Sequence, residues 1–191
     1  MTEAIILIIC AYLLGSVSSA ILLSKLMGFK DPRSEGSNNP GATNVLRIAG
    51  KKAAFLTLVG DLMKGLIPVM VARLLGFDPL IVALTAFAAF CGHCFPVFFG
   101  FRGGKGVATA IAATVAFNWI VGALLVAIWL LVAKVFRISS LAAIISFTAL
   151  PALVYWRVPE FEVAAVFAVL SVILIWRHRS NIQRLLSGTE G

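Results

Sequence analysis

Charge is scarce in this chain. Only 13% of its 191 residues are charged, and just 8 are acidic. A soluble domain carries about 25% charged and about 45–50% apolar residues. Here 61% are hydrophobic and the mean hydropathy is +1.03, which excludes an ordinary water-soluble fold. Histidine is limited to His93 and His178. Neither is followed at short range by a carboxylate, and no nucleophile, His and acid stand in a recognisable set. That leaves a covalent or strongly base-assisted mechanism few candidates and favours a substrate that arrives already activated. The three cysteines, Cys10, Cys91 and Cys94, all lie in apolar stretches, which argues against a disulfide framework. Cys91-Gly92-His93-Cys94 has dithiol spacing, but no βαβ pattern surrounds it and Pro96 follows. It reads as a packed membrane helix with His93 hydrogen-bonded near a site. Met1-Thr2-Glu3 lacks the basic stretch that opens a cleaved leader, so the first apolar segment is expected to stay as an anchor.

Long apolar runs are plentiful. They cover roughly 4–27, 53–75, 80–99, 107–117, 119–136, 138–155 and 161–176, and a span needs about 20 apolar residues. The stretch 107–136 is either one overlong helix or two short ones turning at Asn118-Trp119. Positive charge decides. With seven helices and the N-terminus outside, every Lys and Arg faces the cytoplasm except Arg73, Arg157 and the intramembrane Lys64. A six-helix reading would carry Lys134, Arg137, Arg177, Arg179 and Arg184 across the membrane. The expected fold is therefore an all-α integral membrane protein, a single multi-pass domain over 1–191 with seven transmembrane helices and a cytoplasmic C-terminus. The net charge of +8 reflects this orientation rather than nucleic-acid binding. The last four residues, Gly188 to Gly191, are expected to fray.

Polar sequence gathers on the cytoplasmic side in three segments. The first, Asp31 to Arg47, is dense in turn formers and includes Ser37, Asn38, Asn39, Thr43 and Asn44. It reads either as a turn with Thr43 or Asn44 capping a helix through Arg47, or as an anion cradle. In the cradle, Ser37 and the Asn side chains donate and Arg47 forks onto a phosphate. The second segment, Arg102-Gly103-Gly104-Lys105-Gly106, is glycine-rich and cationic, a loop whose backbone can approach an anion closely. Phe99 and Gly106 stand where a Walker A loop requires Gly and Ser or Thr, so nucleotide hydrolysis is not indicated. The third, Arg177 to Arg184, carries His178 and Asn181 three residues apart; a continuing helix would set them on one face with Arg177 and Arg184. Asp61 and Lys64, also three apart, lie inside an apolar run. They read as a buried ion pair or as a brace for the loops above.

Together these segments resemble the bacterial acyl-phosphate-dependent glycerol-3-phosphate acyltransferases. Ser34 to Arg47 is similar to that family's first signature, His93 to Thr109 to its second, and Arg177 to Arg184 to its third. The resemblance extends over essentially the whole chain, including a seven-helix topology in the bacterial cytoplasmic (inner) membrane. It implies transfer of a fatty acyl group from acyl phosphate to the 1-hydroxyl of glycerol 3-phosphate. The products are lysophosphatidic acid and phosphate, in the first step of phospholipid synthesis, with no cofactor or metal. By motif position, Ser37 and Arg47 bind phosphate, with Arg47 favouring glycerol 3-phosphate. Lys105 and the amides of Gly103 and Gly104 neutralise the acyl phosphate and its departing phosphate. His178 and Asn181 orient the glycerol hydroxyl and the reacting carbonyl. Asn38, Asn39, Thr43 and Asn44 line the cradle, and Ser139 and Ser140 are further contacts. The lipid bilayer is the expected surrounding and the monomer the expected state. The competing reading is a small transporter of an organic phosphate, which also uses short broken helices and buried ion pairs.

Overall fold

The computed structural model describes residues 1–190, and all regular structure among them is helical. The first apolar segment is not one helix over 4–27. It is two, α1 (Thr2–Gly15) and α2 (Ser19–Met27), bent by 41° at a short break. Next comes α3 (Ala42–Leu74), which starts well before residue 53 and changes direction at Gly50, where φ is 79°. Its first arm carries Arg47, and Pro68 sits inside its second. The helix α4 (Pro79–Cys94) ends earlier than residue 99; its last expected turn is instead a 3₁₀ turn, Val97–Phe99. Then follow α5 (Val107–Phe117), α6 (Trp119–Phe136), α7 (Ser139–Arg157), α8 (Phe161–Arg177) and α9 (Arg179–Leu186).

Local chemistry explains several boundaries. Asn118 alone separates α5 from α6: its backbone is extended, and its Oδ1 accepts from the N–H groups of Ile120 and Val121 at 3.1 and 3.2 Å. One side chain thus satisfies two orphan donors of the new helix. Asp78 caps α4 with a single bond, accepting from Ile81 N–H at 3.0 Å, with Pro79 at the first helical position. The bend of 58° between α8 and α9 falls at His178, so the tail does not continue α8 as a straight helix.

Four helices, α3, α6, α7 and α4 with its 3₁₀ extension, are long and apolar enough to cross a membrane; the bent pairs α1–α2 and α8–α9 bring the number to six. The core lies around α4. Phe90 on α4, Phe147 and Leu150 on α7, and Phe167, Leu170 and Leu174 on α8 are fully buried, while Ile5, Leu131, Val172 and many others face outward. In lipid, packing between helices depends on close approach more than on burial from water. Gly65 illustrates this, since a Cβ there would overlap the carbonyl oxygen of Thr109 across the α3–α5 contact.

Candidate active site

The polar loops between α2 and α3 and between α4 and α5 meet the α8–α9 corner at one end of the bundle. Arg177 joins two of them. Its guanidinium donates to Gly103 O at 2.6 Å and Gly104 O at 3.1 Å, while its charge lies 5.6 Å from the Phe95 ring centre. Arg33 donates from Nη1 to Phe99 O at 3.2 Å and closes a fork on Asp31, which holds the Asp31 carboxyl below its usual range. Between them opens a cleft of about 530 Å³, lined by Asp31, Arg33, Ser34, Asn38, Pro40, Phe101, Arg102, Gly103 and Arg177. All three polar segments contribute. Asn38 and Phe101 both take left-handed backbone, with φ of 56° and 60°. That conformation costs a side chain of Phe's size about 1–2 kcal/mol, a local strain held by the loops' other contacts.

Lys105, two residues beyond Gly103, is not among the residues that line this cleft. Its Nζ donates to Asn181 Oδ1 at 2.6 Å, and the Asn181 amide donates to Glu190 Oε1 at 2.5 Å. The same oxygen accepts from Ser140 Oγ at 2.6 Å, and Glu190 Oε2 accepts from Arg184 at 2.6 Å. Residues 188–190 are therefore folded back onto the site and do not fray, while Gly191 lies outside the described residues. Glu190 was missed because a terminal Gly-Thr-Glu carries no periodicity; its partners lie 50, 9 and 6 residues away.

The site is short of negative charge. Burial pushes the Lys105 ammonium down to about 8, and the charges of Arg184, Arg177 and Arg47 push the same way, with Glu190 opposing them. A cluster of cations in which even lysine holds its proton loosely favours an anion. His178 is buried and its pKa falls to about 4. Burial dominates, Lys105 and Arg177 add to it, and the Leu174 carbonyl and Glu190 oppose it. At neutral pH the ring is neutral. Its Nδ1 donates to Leu174 O at 2.8 Å, which leaves Nε2 as an acceptor for a hydroxyl proton.

The capping reading of the first loop does not hold. The residue before α3 is Gly41, and no side chain caps the helix. Asn44 is buried and knits the loop: its Oδ1 accepts from Ser37 N–H at 2.9 Å, and its amide donates to the carbonyls of Pro32 and Glu35. Ser37 and Thr43 are exposed, Asn39 is half-buried, and among the described residues no side-chain hydrogen bond joins any of them to Lys105. Ser139 is exposed at the start of α7, whereas Ser140 reaches the site through Glu190. The Gly104 N–H donates to His93 O at 3.2 Å and so is already engaged. Gly103 and Gly104 matter through their missing side chains: a Cβ on Gly103 would overlap His93 O, and one on Gly104 would overlap the His93 ring. Gly104→Ala is expected to lower turnover about a hundredfold by displacing Lys105. Initial rates on the folded, monodisperse variant check this.

Among the described residues, no group of three or more His, Cys, Asp and Glu could hold a metal ion.

Comparison with known proteins agrees over nearly the full length. A family model described as glycerol-3-phosphate acyltransferase matches residues 5–188. A glycerol-3-phosphate acyltransferase of Thioalkalivibrio sulfidiphilus is 53% identical over 184 residues, covering 96% of this chain and 91% of its own. One of Hydrogenovibrio crunogenus is 52% identical, covering 94% and 87%. Among solved structures, PlsY, an integral membrane glycerol 3-phosphate acyltransferase, superposes in its glycerol 3-phosphate form with a TM-score of 0.93 at 39% identity, covering 99% of this chain and 94% of that one. Its lysophosphatidic acid form gives 0.90 at 38% identity, with the same coverage.

Proposed function

This chain belongs to the glycerol-3-phosphate acyltransferase family, and from that premise we propose that it draws its acyl group from an acyl phosphate, at a site open to the cytoplasm. It is a multi-pass membrane acyltransferase acting on glycerol 3-phosphate and yielding lysophosphatidic acid. The observation that carries the donor assignment is the cationic cluster around Lys105, where the charges of Arg184, Arg177 and Arg47 are opposed by Glu190. Two phosphate groups entering together suit that imbalance. The 1-hydroxyl attacks the acyl carbon, the carbon–oxygen bond to phosphate breaks, and the hydroxyl proton ends on the departing phosphate. An acyl phosphate is a mixed anhydride, so positioning and charge stabilisation suffice.

In this reading Lys105 and Arg47 face the phosphates, with Arg47 toward glycerol 3-phosphate. His178 Nε2 accepts from the 1-hydroxyl, and Asn181 holds Lys105 toward the reacting carbonyl. Ser37, Asn38, Asn39 and Thr43 line the rim the substrates cross. Asn44, Gly103, Gly104, Ser139 and Ser140 shape its floor and walls. All of these come from one chain, so a monomer suffices.

Seven spans follow if α5 crosses as well. The contacts support this. Arg177 binds the loop before α5, whereas Arg73 at the end of α3 donates to Ala116 O at the end of α5. Exposed Trp119, Tyr155 and Trp156 mark one end of the bundle and Trp176 the other, as interfacial aromatics do. The cations at the Lys105 end support an orientation with that end facing the cytoplasm, in a bacterial inner membrane, and with the N-terminus outside.

The test uses purified protein in detergent, with glycerol 3-phosphate and either palmitoyl phosphate or palmitoyl-CoA. Lysophosphatidic acid and phosphate from the first donor alone are the expected result. Product from the CoA ester alone would overturn the donor, and product from neither would leave the transport reading.

A further inference from the structure

Beneath the glycine loop lies a polar cluster that no step of the reaction uses. Asp61 and Lys64 on α3, His93 on α4 and Thr109 on α5 are all buried, each 7% exposed or less. Lys64 Nζ donates to Asp61 Oδ1 at 2.9 Å and to Val17 O at 3.0 Å. Val17 stands in the break between α1 and α2, so the lysine reaches a carbonyl where helical pairing is interrupted. Thr109 Oγ1 donates to Asp61 O at 2.9 Å and lies 3.2 Å from His93 Nδ1. The threonine proton is already committed, so the histidine must be the donor in the second contact. Asp61 Oδ1, 3.6 Å from the same Nδ1, attracts that proton as well. The two acceptors therefore fix both the plane of the ring and the nitrogen that carries hydrogen.

The other edge of the ring is what the loop rests on. His93 Nε2 packs against the Gly104 Cα with no room for a Cβ, and His93 O accepts the Gly104 N–H. Arg177 also holds this loop, donating to the carbonyls of Gly103 and Gly104. Lys105 follows immediately. A rotated ring, or one protonated on Nε2, would lift Gly104 and carry Lys105 with it.

We propose that Asp61, Lys64, Thr109 and His93 form a positioning network that sets the height and direction of Lys105. This rests on the acyltransferase reading and adds residues buried in the membrane to it. None of the four touches substrate; they act through the loop.

The test compares Thr109→Val, Thr109→Ser, His93→Asn and wild type in the palmitoyl phosphate assay, with thermal midpoint and elution profile measured on each. Asparagine carries an amide N–H where His93 has Nδ1–H, but nothing where Nε2 meets Gly104. Expected is a kcat loss of about tenfold to a hundredfold for Thr109→Val and His93→Asn, at nearly unchanged KM for glycerol 3-phosphate. Thr109→Ser should restore kcat. Wild-type kcat in both Thr109→Val and His93→Asn would overturn the network, whether or not their thermal midpoints fall. So would a loss in Thr109→Val that serine fails to rescue. An inactive wild type would instead reject the acyltransferase reading itself, which keeps the two failures apart.

Discussion

Lys105→Ala leaves a folded protein whose turnover is about 10²- to 10³-fold below wild type, the usual cost of removing one charge-stabilising donor. Arg47→Ala should lose turnover as well, most visibly at low glycerol 3-phosphate. A near-normal rate in either would remove these residues from the chemistry. The same lysine makes a prediction in pH. With its pKa lowered from 10.5 to about 8, kcat/KM for glycerol 3-phosphate falls as pH rises through about 8 and the ammonium is lost. Stability runs the other way. Between about 8 and 10.5 the unfolded chain holds this proton and the folded one does not, so folding becomes more favourable as pH rises across that window. Thermal midpoints of wild type and Lys105→Met, compared at pH 7 and 9.5, read the difference. The methionine variant should lack this contribution.

Glu190→Ala should cost about tenfold to a hundredfold in kcat through lost positioning, because one carboxylate organises three elements. It ties Ser140 at the head of α7 to Asn181 and Arg184 on α9, and Asn181 in turn holds Lys105. Glu190→Gln separates shape from charge. It keeps an acceptor for Ser140 and Asn181 but removes a negative charge that raises the Lys105 pKa. Its alkaline limb should therefore shift to lower pH than wild type. An unmoved limb would mean that Glu190 and Lys105 are not electrostatically coupled. Glu190 itself titrates below its usual 4.5, since Ser140, Asn181 and Arg184 outweigh burial. Its contribution to stability is present above that value and lost as pH falls through the lower folded value.

Much of this was legible in the residues. Helical spans announce themselves by apolar length, and Asn118 marks a break because it is a strong cap in an otherwise apolar stretch. The three polar segments stood out for the same reason. The connections between them did not. Arg177 reaches across 74 residues to Gly103 and Ser140 across 50 to Glu190, and no local period encodes such contacts. The break after Gly15 was hidden because Ser16-Val17-Ser18 does not interrupt an apolar average. The turn at Gly50 was hidden because nothing nearby distinguishes it from a helical glycine. His93 looked like part of a thiol motif, and only its neighbours from α3 and α5 give it another place.

The length of α5 has a consequence for how two immiscible reactants come together. Its 11 residues rise about 16 Å, roughly half of a hydrocarbon core of about 30 Å. Lys105 stands just before its first turn, so on the seven-span reading the two ends of α5 cannot both reach the surfaces of a full-thickness bilayer, and the loop or the opposite end must lie recessed. With the Lys105 loop recessed, the proposed fatty donor would enter sideways from the lipid and glycerol 3-phosphate from the water, and one short helix would set the level at which the two phases meet.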